Sequence, residues 1–266
     1  YFNQLNIPIG LVLLFLMGIG PLLSWNYTSQ SVLLNRFKLP LSISFLSGIG
    51  YMIFSSSFQI YVFVAIMGVS FTLSSILGEF YKSYKKQKKA SNFLHSIGKM
   101  FLSNRHKNGG YIVHIGIVLL FIGFIGRAFE VEKEFSLSPG EQIYFSNYVF
   151  KLNSIKSEAR DNHYAFLSEI DVVDSSTNQL LVNLKPEKRI YFYWNSDPEK
   201  RQPHSELDIY STIQKDIYSI FSGYDAQKNI GYFKIMINPL VNWVWIGGVL
   251  MVIGSLFAFW PSRRDN

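Results

Sequence analysis

The 266-residue chain contains no cysteine. Disulfide bonds, thiol catalysis and thiolate metal sites are therefore excluded from this sequence, and the redox compartment is left undetermined. Acidic residues are the scarcer charged class, with 18 Asp and Glu against 25 Lys and Arg. Charge of either sign is nearly missing from five long stretches and is concentrated between them. That distribution, rather than the overall composition, indicates the class of protein.

Motifs of the common hydrolases are also missing. The sequence has no GxSxG, P-loop or HExxH motif and no paired carboxylates with a supporting context. No charged n-region or small-residue cleavage site precedes the first apolar stretch, so a signal peptide is not visible. The sequence begins at Tyr1 rather than at an initiator Met. We therefore expect a processed chain or, in preference, a fragment of a longer one.

Five apolar segments meet or approach the roughly 20 residues that a membrane-spanning helix needs. They are Ile7–Trp25, Leu39–Phe54, Ile60–Leu77, Tyr111–Ala128 and Pro239–Trp260. The sequence therefore predicts an integral membrane protein built as an α-helical bundle.

The segment at 82–107 carries a cluster of basic residues between the third and fourth spans. Because cytoplasmic loops are enriched in Lys and Arg, the positive-inside rule places this segment in the cytoplasm. The other short basic segments then fall on the same side, and the long segment before the last span lies outside. The same enrichment explains the net charge of +7, so we expect no binding of nucleic acid.

This topology predicts three parts. Residues 1–128 form four transmembrane helices with the basic cytoplasmic loop at 82–107. Residues 129–236 form an extracytoplasmic β-rich domain, and residues 237–266 form the final transmembrane helix and a cytoplasmic tail.

The outer segment has the composition of a β-domain. Four stretches mix apolar, aromatic and β-branched residues, and turn-forming sequences such as Ser138-Pro139-Gly140 separate them. The stretches are Ile143–Leu152, Phe166–Val173, Leu180–Leu184 and Arg189–Trp194. Because about 100 residues can bury a core of their own, we expect a small antiparallel barrel or sandwich.

His114 is the one histidine inside a predicted span. An ionisable residue in a span is costly and is by default a functional-site candidate. Neutral imidazole is a ligand of haem iron, but a histidine bonded to a neighbouring helix is also common in packed bundles. The residues alone leave both interpretations open. A low-spin haem would need a second axial ligand, which we expect upstream, although Met17, Met52, Met67 and Met251 are alternatives that packing explains equally well.

The outer segment also contains polar strings around residues 185–189 and 203–209. Charge runs of this kind are usually solvated loops, but Arg and Lys also suit a surface that docks a partner protein or haem propionates. The docking candidates are Glu187, Lys188, Arg189 and Glu206.

Six motifs occur in the order found in one family of membrane proteins. They are Gly109-Gly110-Tyr111-Ile112-Val113-His114-Ile115-Gly116, Gly140-Glu141, Pro186-Glu187-Lys188-Arg189, Glu206-Leu207-Asp208-Ile209, Lys215-Asp216-Ile217-Tyr218 and Asn238-Pro239-Leu240-Val241-Asn242-Trp243-Val244-Trp245-Ile246-Gly247-Gly248. With these motifs the chain resembles the C-terminal part of the CcmF family, the haem lyase component of cytochrome c maturation. The resemblance is strong from Lys107 to Trp260 and looser over the first three spans.

The resemblance implies a transmembrane haem b held between two histidines on different spans, and His114 matches the C-terminal member of that pair. The family's other membrane ligand and its tryptophan-rich outer segment do not occur in this sequence, so the second axial ligand is expected upstream. The resemblance also implies covalent attachment of haem to apocytochrome c. In that reaction two cysteine thiols of a CxxCH motif add to the haem vinyl groups, with the iron kept reduced. We do not expect this segment to be active alone.

The implied location is the bacterial plasma (inner) membrane. The implied partners are a haem chaperone, apocytochrome c and other cytochrome c maturation subunits. Nitrite-reductase-specific haem lyases share the architecture, and this segment does not separate them from the general system.

Another class of function also fits the residues. In this alternative the chain is a membrane-anchored assembly or docking protein without chemistry of its own, and His114 is structural. A Trp-rich outer loop flanked by histidines, upstream in the reading frame, would distinguish the two. A transporter is disfavoured, because the spans lack other buried charges and paired broken helices.

Overall fold

A computed structural model describes residues 2–23, 29–55, 57–87, 101, 104–192 and 203–260. The chain divides into two compact units. The first is Tyr1–Ala128 together with Leu240–Asn266, and the second is Phe129–Pro239.

The described part of the first unit contains five helices that are long and apolar enough to cross a membrane. They are α1 Phe2–Ile19, α2 Gln30–Phe54, α3 Ile60–Gln87, α4 Arg105–Gly126 and α5 Asn242–Phe259. The helices are apolar on most sides, as expected where lipid rather than water surrounds them. The prediction of a multi-pass helical membrane protein is confirmed.

Two of these helices extend beyond the apolar segments found in the sequence. Helix α2 begins at Gln30, so Arg36 and Lys38 lie inside the helix rather than in a loop before it. Helix α3 continues to Gln87 and therefore carries Glu79. Hydropathy detects only the apolar part of a span, whereas long charged side chains can continue a helix while their heads reach the interface. The charged turns of α2 and α3 are thus part of the bundle.

The ends of the first and last spans also differ from the sequence prediction. Helix α1 ends at Ile19, and Trp25 lies outside the described residues. Helix α5 begins at Asn242, whereas the predicted span began at Pro239. Pro239 is instead the last residue of a strand. The two arginines of the predicted cytoplasmic tail lie outside the described residues.

Hydroxyl groups connect the helices of this unit. Thr72 Oγ1 on α3 donates to the carbonyl of Leu14 on α1 at 2.8 Å, and Ser44 Oγ on α2 donates to the carbonyl of Met67 on α3 at 2.9 Å. Such bonds between helices stabilise bundles in lipid, where hydrophobic burial drives association only weakly. They hold α3 between α1 and α2.

The second unit contains ten described strands. They are β1 Val131–Leu137, β2 Gln142–Phe145, β3 Tyr148–Ala159, β4 His163–Asp174, β5 Leu180–Leu184, β6 Glu187–Tyr191, β7 Pro203–Glu206, β8 Asp208–Ser211, β9 Lys215–Asp225 and β10 Ile230–Pro239. All described pairings are antiparallel, in a four-stranded sheet of order β1-β10-β9-β8 and a second sheet of order β2-β3-β4-β6-β7, with β5 also paired to β4.

One core lies between the two sheets. Phe150 and Ile170 come from the larger sheet, Phe221 and Phe233 from the smaller one, and all four are at most 1% exposed. The rings of Phe221 and Phe233 are stacked at 4.9 Å. The prediction of a β-rich domain is confirmed, and of the two forms left open by the sequence the structure has the sandwich.

The strand boundaries follow the turns. Leu180–Leu184 is a strand as predicted. The predicted stretch Ile143–Leu152 is instead divided into β2 and β3 by a turn in which Ser146 has a φ of 55°. Strand β10 runs to Pro239, whereas the sequence analysis placed the end of the domain at 236.

Candidate functional site

His114 lies on the wall of a large cavity in the helical unit. The helix that carries it begins after Asn104, whose side chain accepts a hydrogen bond from the backbone N–H of Lys107 at 3.1 Å. This is an ordinary N-terminal cap. Nδ1 of His114 is buried and has no hydrogen-bond partner among the described residues. In the alternative role for His114, the imidazole would be hydrogen-bonded to a neighbouring helix. Within the described residues, Nδ1 makes no such bond.

The cavity has a volume of about 1370 Å³. Typical small-ligand pockets enclose roughly 300–1,000 Å³, so this one can accept a large ligand. Its walls come from the short 3-10 turn after α1 (Gly20–Leu22), the first half of α2, the last turns of α3 and the first turns of α4. On α4 the lining residues Lys107, Tyr111 and His114 recur at helical spacing and form one stripe.

Small residues keep the cavity open. Gly20 and Gly78 line it, and a Cβ added at either position would meet no atom within 4 Å. Ser75 also lines it, and its hydroxyl is turned away to donate to the carbonyl of Phe71 at 2.8 Å. These residues therefore leave room for a large ligand in the cavity.

The charged residues on the cavity wall are predominantly cationic. Arg36, Lys82, Lys85 and Lys107 line it, together with one carboxylate, that of Glu79. Glu79 accepts from Lys82 Nζ at 2.9 Å and from Lys107 Nζ at 3.2 Å. Arg36 and Glu79 were not predicted as cavity residues, because both lie outside the spans predicted from the sequence.

The cavity contains one of the candidate haem ligands predicted from the sequence, His114. No methionine lines the cavity, and the described part of the chain has no group of three or more His, Asp or Glu placed to hold a metal ion. Met251 instead packs against Gly116, and the carbonyl of Met67 accepts from Ser44. Met52 is 59% exposed, and Met17 packs beside the buried cluster around Leu14. Three of the four methionines that the sequence left open are therefore packed against other residues, whereas Met52 is mostly exposed.

In the sandwich, three of the four docking candidates form one ion-pair network. Glu187 Oε2 lies 2.8 Å from Arg189 Nε and 3.4 Å from Arg160 Nη1. Arg189 Nη1 also lies 3.2 Å from Glu206 Oε1, and Arg160 Nη2 lies 3.2 Å from Glu158 Oε2. Hydrogen bonds to Tyr191 and Glu187 raise the pKa of Arg189 above its usual range. The charges of the network thus compensate one another within the domain.

Lys188, the fourth docking candidate, makes different contacts. Its Nζ donates to Ser205 Oγ at 2.9 Å, and that hydroxyl in turn donates to the carbonyl of Phe221 at 3.0 Å. Burial lowers the pKa of the Lys188 ammonium from its ordinary value. Because successive side chains of a strand lie on opposite faces of the sheet, Lys188 lies on the other face of β6 from Glu187 and Arg189.

The sequence analysis also missed an aromatic cluster near this network. The imidazole of His163 is 7% exposed and lies 4.9 Å from the ring of Tyr191, which lies 5.6 Å from that of His204. His163 Nδ1 is 2.6 Å from Asn162 Oδ1. The alternation of β4 was the signal that could have placed His163 on a buried strand face.

Comparison with known proteins covers both units. A family model described as the CcmF C-terminal beta-sandwich matches residues 128–239. Cytochrome c-type biogenesis protein CcmF of Haemophilus influenzae is 24% identical over 264 residues, which is 99% of this chain and 39% of that protein. CcmF of Pseudomonas aeruginosa is 23% identical over 265 residues, 99% of this chain and 38% of that protein.

A paralogous group and a solved structure also match. Probable cytochrome c-type biogenesis protein NrfE of Escherichia coli is 25% identical over 156 residues, 58% of this chain and 27% of that protein. The solved structure of Cytochrome c Heme Lyase CcmF superposes with a TM-score of 0.73 at 20% identity, covering 98% of this chain and 40% of that one. At that identity the superposition shows the fold. The chain spans about two fifths of the CcmF relatives it matches, and its resemblance to their C-terminal part is confirmed.

Proposed function

We propose that this chain, which is similar over its whole length to the C-terminal part of CcmF, is the C-terminal part of a haem lyase subunit that matures cytochromes c. In this role His114 is an axial ligand of a membrane haem b. The observation that carries the proposal is the imidazole-bearing residue His114 on the wall of a cavity large enough for a tetrapyrrole. The haem would supply one-electron redox chemistry, which maintains the reduced iron that thioether formation needs.

The contribution of the chain is to hold and shield that ligand. His114 presents a neutral imidazole inside a helix, where iron coordination would compensate the cost of a polar ring in hydrocarbon. His114 lies on the same face of α4 as the cavity residues Lys107 and Tyr111, and the open position at Gly78 leaves room for a flat ring system. The second axial ligand would come from elsewhere in a longer protein, since the relatives are longer than this chain.

The proposed orientation follows from the charges. Lys82, Lys85 and Lys107 lie at the end of the bundle that the positive-inside rule assigns to the cytoplasm. The sandwich would then lie on the outer face of a bacterial plasma membrane, where apocytochrome c and a haem chaperone meet. We retain Glu187, Lys188, Arg189 and Glu206 as the proposed docking surface. Glu206 is half exposed at the edge of the network and is the more accessible of the two carboxylates in this surface.

The test compares two histidines on the same helix. Purified full-length protein in detergent is titrated with ferrous haem, and the absorbance spectrum is recorded for the wild type, His114→Ala and His106→Ala. We expect His114→Ala to weaken haem binding by about tenfold or more, the range seen when support of a metal site is lost. His106 lies on α4 but is exposed and does not line the cavity, so His106→Ala should keep the wild-type spectrum.

An unchanged spectrum in His114→Ala would remove the ligand assignment. It would instead favour the alternative in which the protein docks partners without holding a cofactor in this cavity.

A further inference from the structure

Three helices present polar stripes to the cavity at one end of the bundle. On α4 the stripe contains Lys107 and Tyr111, and on α3 it contains Glu79 and Lys82. On α2 the lining residues include Asn35 and Arg36. The three helices therefore surround one opening, with His114 one helical turn beyond Tyr111 and farther from the start of α4.

The cations at this opening have different surroundings. Lys82 and Lys107 share the carboxylate of Glu79, which is 13% exposed at its side chain. Arg36 has no carboxylate within ion-pair distance among the described residues, and its Nη1 donates to the neutral carbonyl of Leu22 at 3.1 Å. That bond fixes one side of the guanidinium and leaves its other N–H groups for a ligand. Arg36 is thus a half-buried cation that one hydrogen bond holds in place, and it has no counter-charge among the described residues.

Burial of an uncompensated guanidinium is costly, and the cost is removed when an anion pairs with it. Arginine presents a planar fork that matches a carboxylate with two parallel hydrogen bonds. A lysine at a membrane surface is different, because its flexible chain carries the ammonium to water. Lys38, two residues after Arg36, is such a lysine, because it is exposed and does not line the cavity.

We propose that Arg36 positions a carboxylate of the flat ligand that His114 holds, so that the cavity recognises a dicarboxylate tetrapyrrole at two points. This inference rests on the proposed function. The imidazole binds the metal in the apolar part of the cavity, and the guanidinium receives a carboxylate at the polar opening. Arg36 is therefore a positioning residue, which fixes the orientation of the ring plane and does not touch the iron.

The experiment changes the ligand as well as the protein. Full-length protein in detergent is titrated with ferrous haem and, separately, with haem dimethyl ester, which has the same ring and iron but no ionised carboxylate. The wild type should bind haem about tenfold more tightly than the ester, the size of a charge-assisted hydrogen bond. Arg36→Gln should lose most of this preference, Arg36→Lys should recover part of it, and Lys38→Gln should keep it whole.

The outcomes separate this inference from the function on which it rests. Equal affinity of the wild type for haem and its ester would overturn the role of Arg36 while leaving His114 as the iron ligand. The role of Arg36 would also be overturned if Arg36→Gln kept the wild-type preference, which would assign recognition of the carboxylates to the lysines of the opening. If neither compound binds, or if His114→Ala binds both normally, the proposed function itself fails.

Discussion

At the scale of single residues, Asp174 shows how one side chain closes a hairpin. Its Oδ1 accepts from the backbone N–H groups of Ser176 and Thr177 at 2.9 and 3.0 Å, where the chain turns from β4 to β5. Hydrogen bonds from Ser176 and Thr177 lower the pKa of this carboxyl to about 2, from an ordinary value of 3.8. The ionised form is therefore the one that the folded turn prefers.

This preference predicts a pH dependence of stability. A carboxyl whose pKa is lower in the folded state adds stability above its unfolded pKa, and the gain is lost as pH falls through the folded pKa. We expect Asp174→Asn to lower the thermal midpoint of the sandwich at pH 7. The difference from the wild type should shrink below about pH 4 and vanish only below pH 2.

The measurement is the melting of strand circular dichroism as a function of pH, with Asp161→Asn as the control. Asp161 lies in the turn between β3 and β4 and forms no side-chain hydrogen bond with the described residues. A constant gap between Asp174→Asn and the wild type from pH 7 to pH 2 would contradict the assignment.

At the scale of elements, the contact of α4 with α5 depends on glycines seven residues apart. A Cβ added to Gly247 would lie 2.5 Å from the carbonyl oxygen of Gly116, and one added to Gly116 would lie 2.7 Å from that of Gly247. Gly109 meets Ala258 and Gly254 meets Val113 in the same way. Small residues permit this approach of two backbones, and van der Waals packing then stabilises the pair in lipid.

Adjacent glycines on α5 allow a matched test. Gly248 has no atom within 4 Å of an added Cβ, whereas Gly247 is in contact with the α4 backbone. We expect Gly247→Leu to destabilise the helical unit by about 1–3 kcal/mol or more, the cost of forcing a side chain into a packed interface. Gly248→Leu should be close to neutral.

Thermal unfolding in detergent, followed by loss of helical circular dichroism, measures both variants. Equal midpoints for Gly247→Leu and Gly248→Leu would show that the close approach of α4 and α5 contributes little to stability.

The same elements show what the sequence could predict. Uninterrupted apolar stretches found five spans, because lipid requires that pattern of every spanning helix. The charged turns of α2 and α3 were missed, because their residues resemble a loop in composition and only packing makes them helical. Strand β7 (Pro203–Glu206) was missed for a related reason, since all four of its residues are exposed and no apolar alternation marks them.

The candidate site was predictable only in part. His114 could be found because a lone imidazole in a span is conspicuous. Arg36 and Gly78 could not, because a cavity wall is defined by which helices meet. That is a non-local property which neither charge nor spacing on one helix reveals.

At the scale of the whole molecule, the helical unit exposes apolar side chains that a water-soluble surface would bury. Phe54 is 90% exposed, Phe259 is 81% and Trp245 is 71%. Exposed apolar patches of this kind mark surfaces that lipid or other protein covers. The CcmF relatives are more than twice the length of this chain, so additional helices are one source of that cover.

A cavity with one histidine predicts the spin state of a bound haem. Of the histidines in the described helices, only His114 lines the cavity. The chain alone, titrated with ferric haem in detergent, should therefore give a weakly bound, mainly high-spin complex. Added free imidazole should occupy the vacant axial position and convert the spectrum to the low-spin, two-imidazole type.

The half-saturating imidazole concentration should be lower for the wild type than for free haem in the same detergent, because one ligand is already in place. In His114→Ala that advantage should disappear, whereas His106→Ala should keep it. A low-spin spectrum from the chain without added imidazole would mean that a second ligand is already present among its own residues, and the single-histidine account of this cavity would then be wrong.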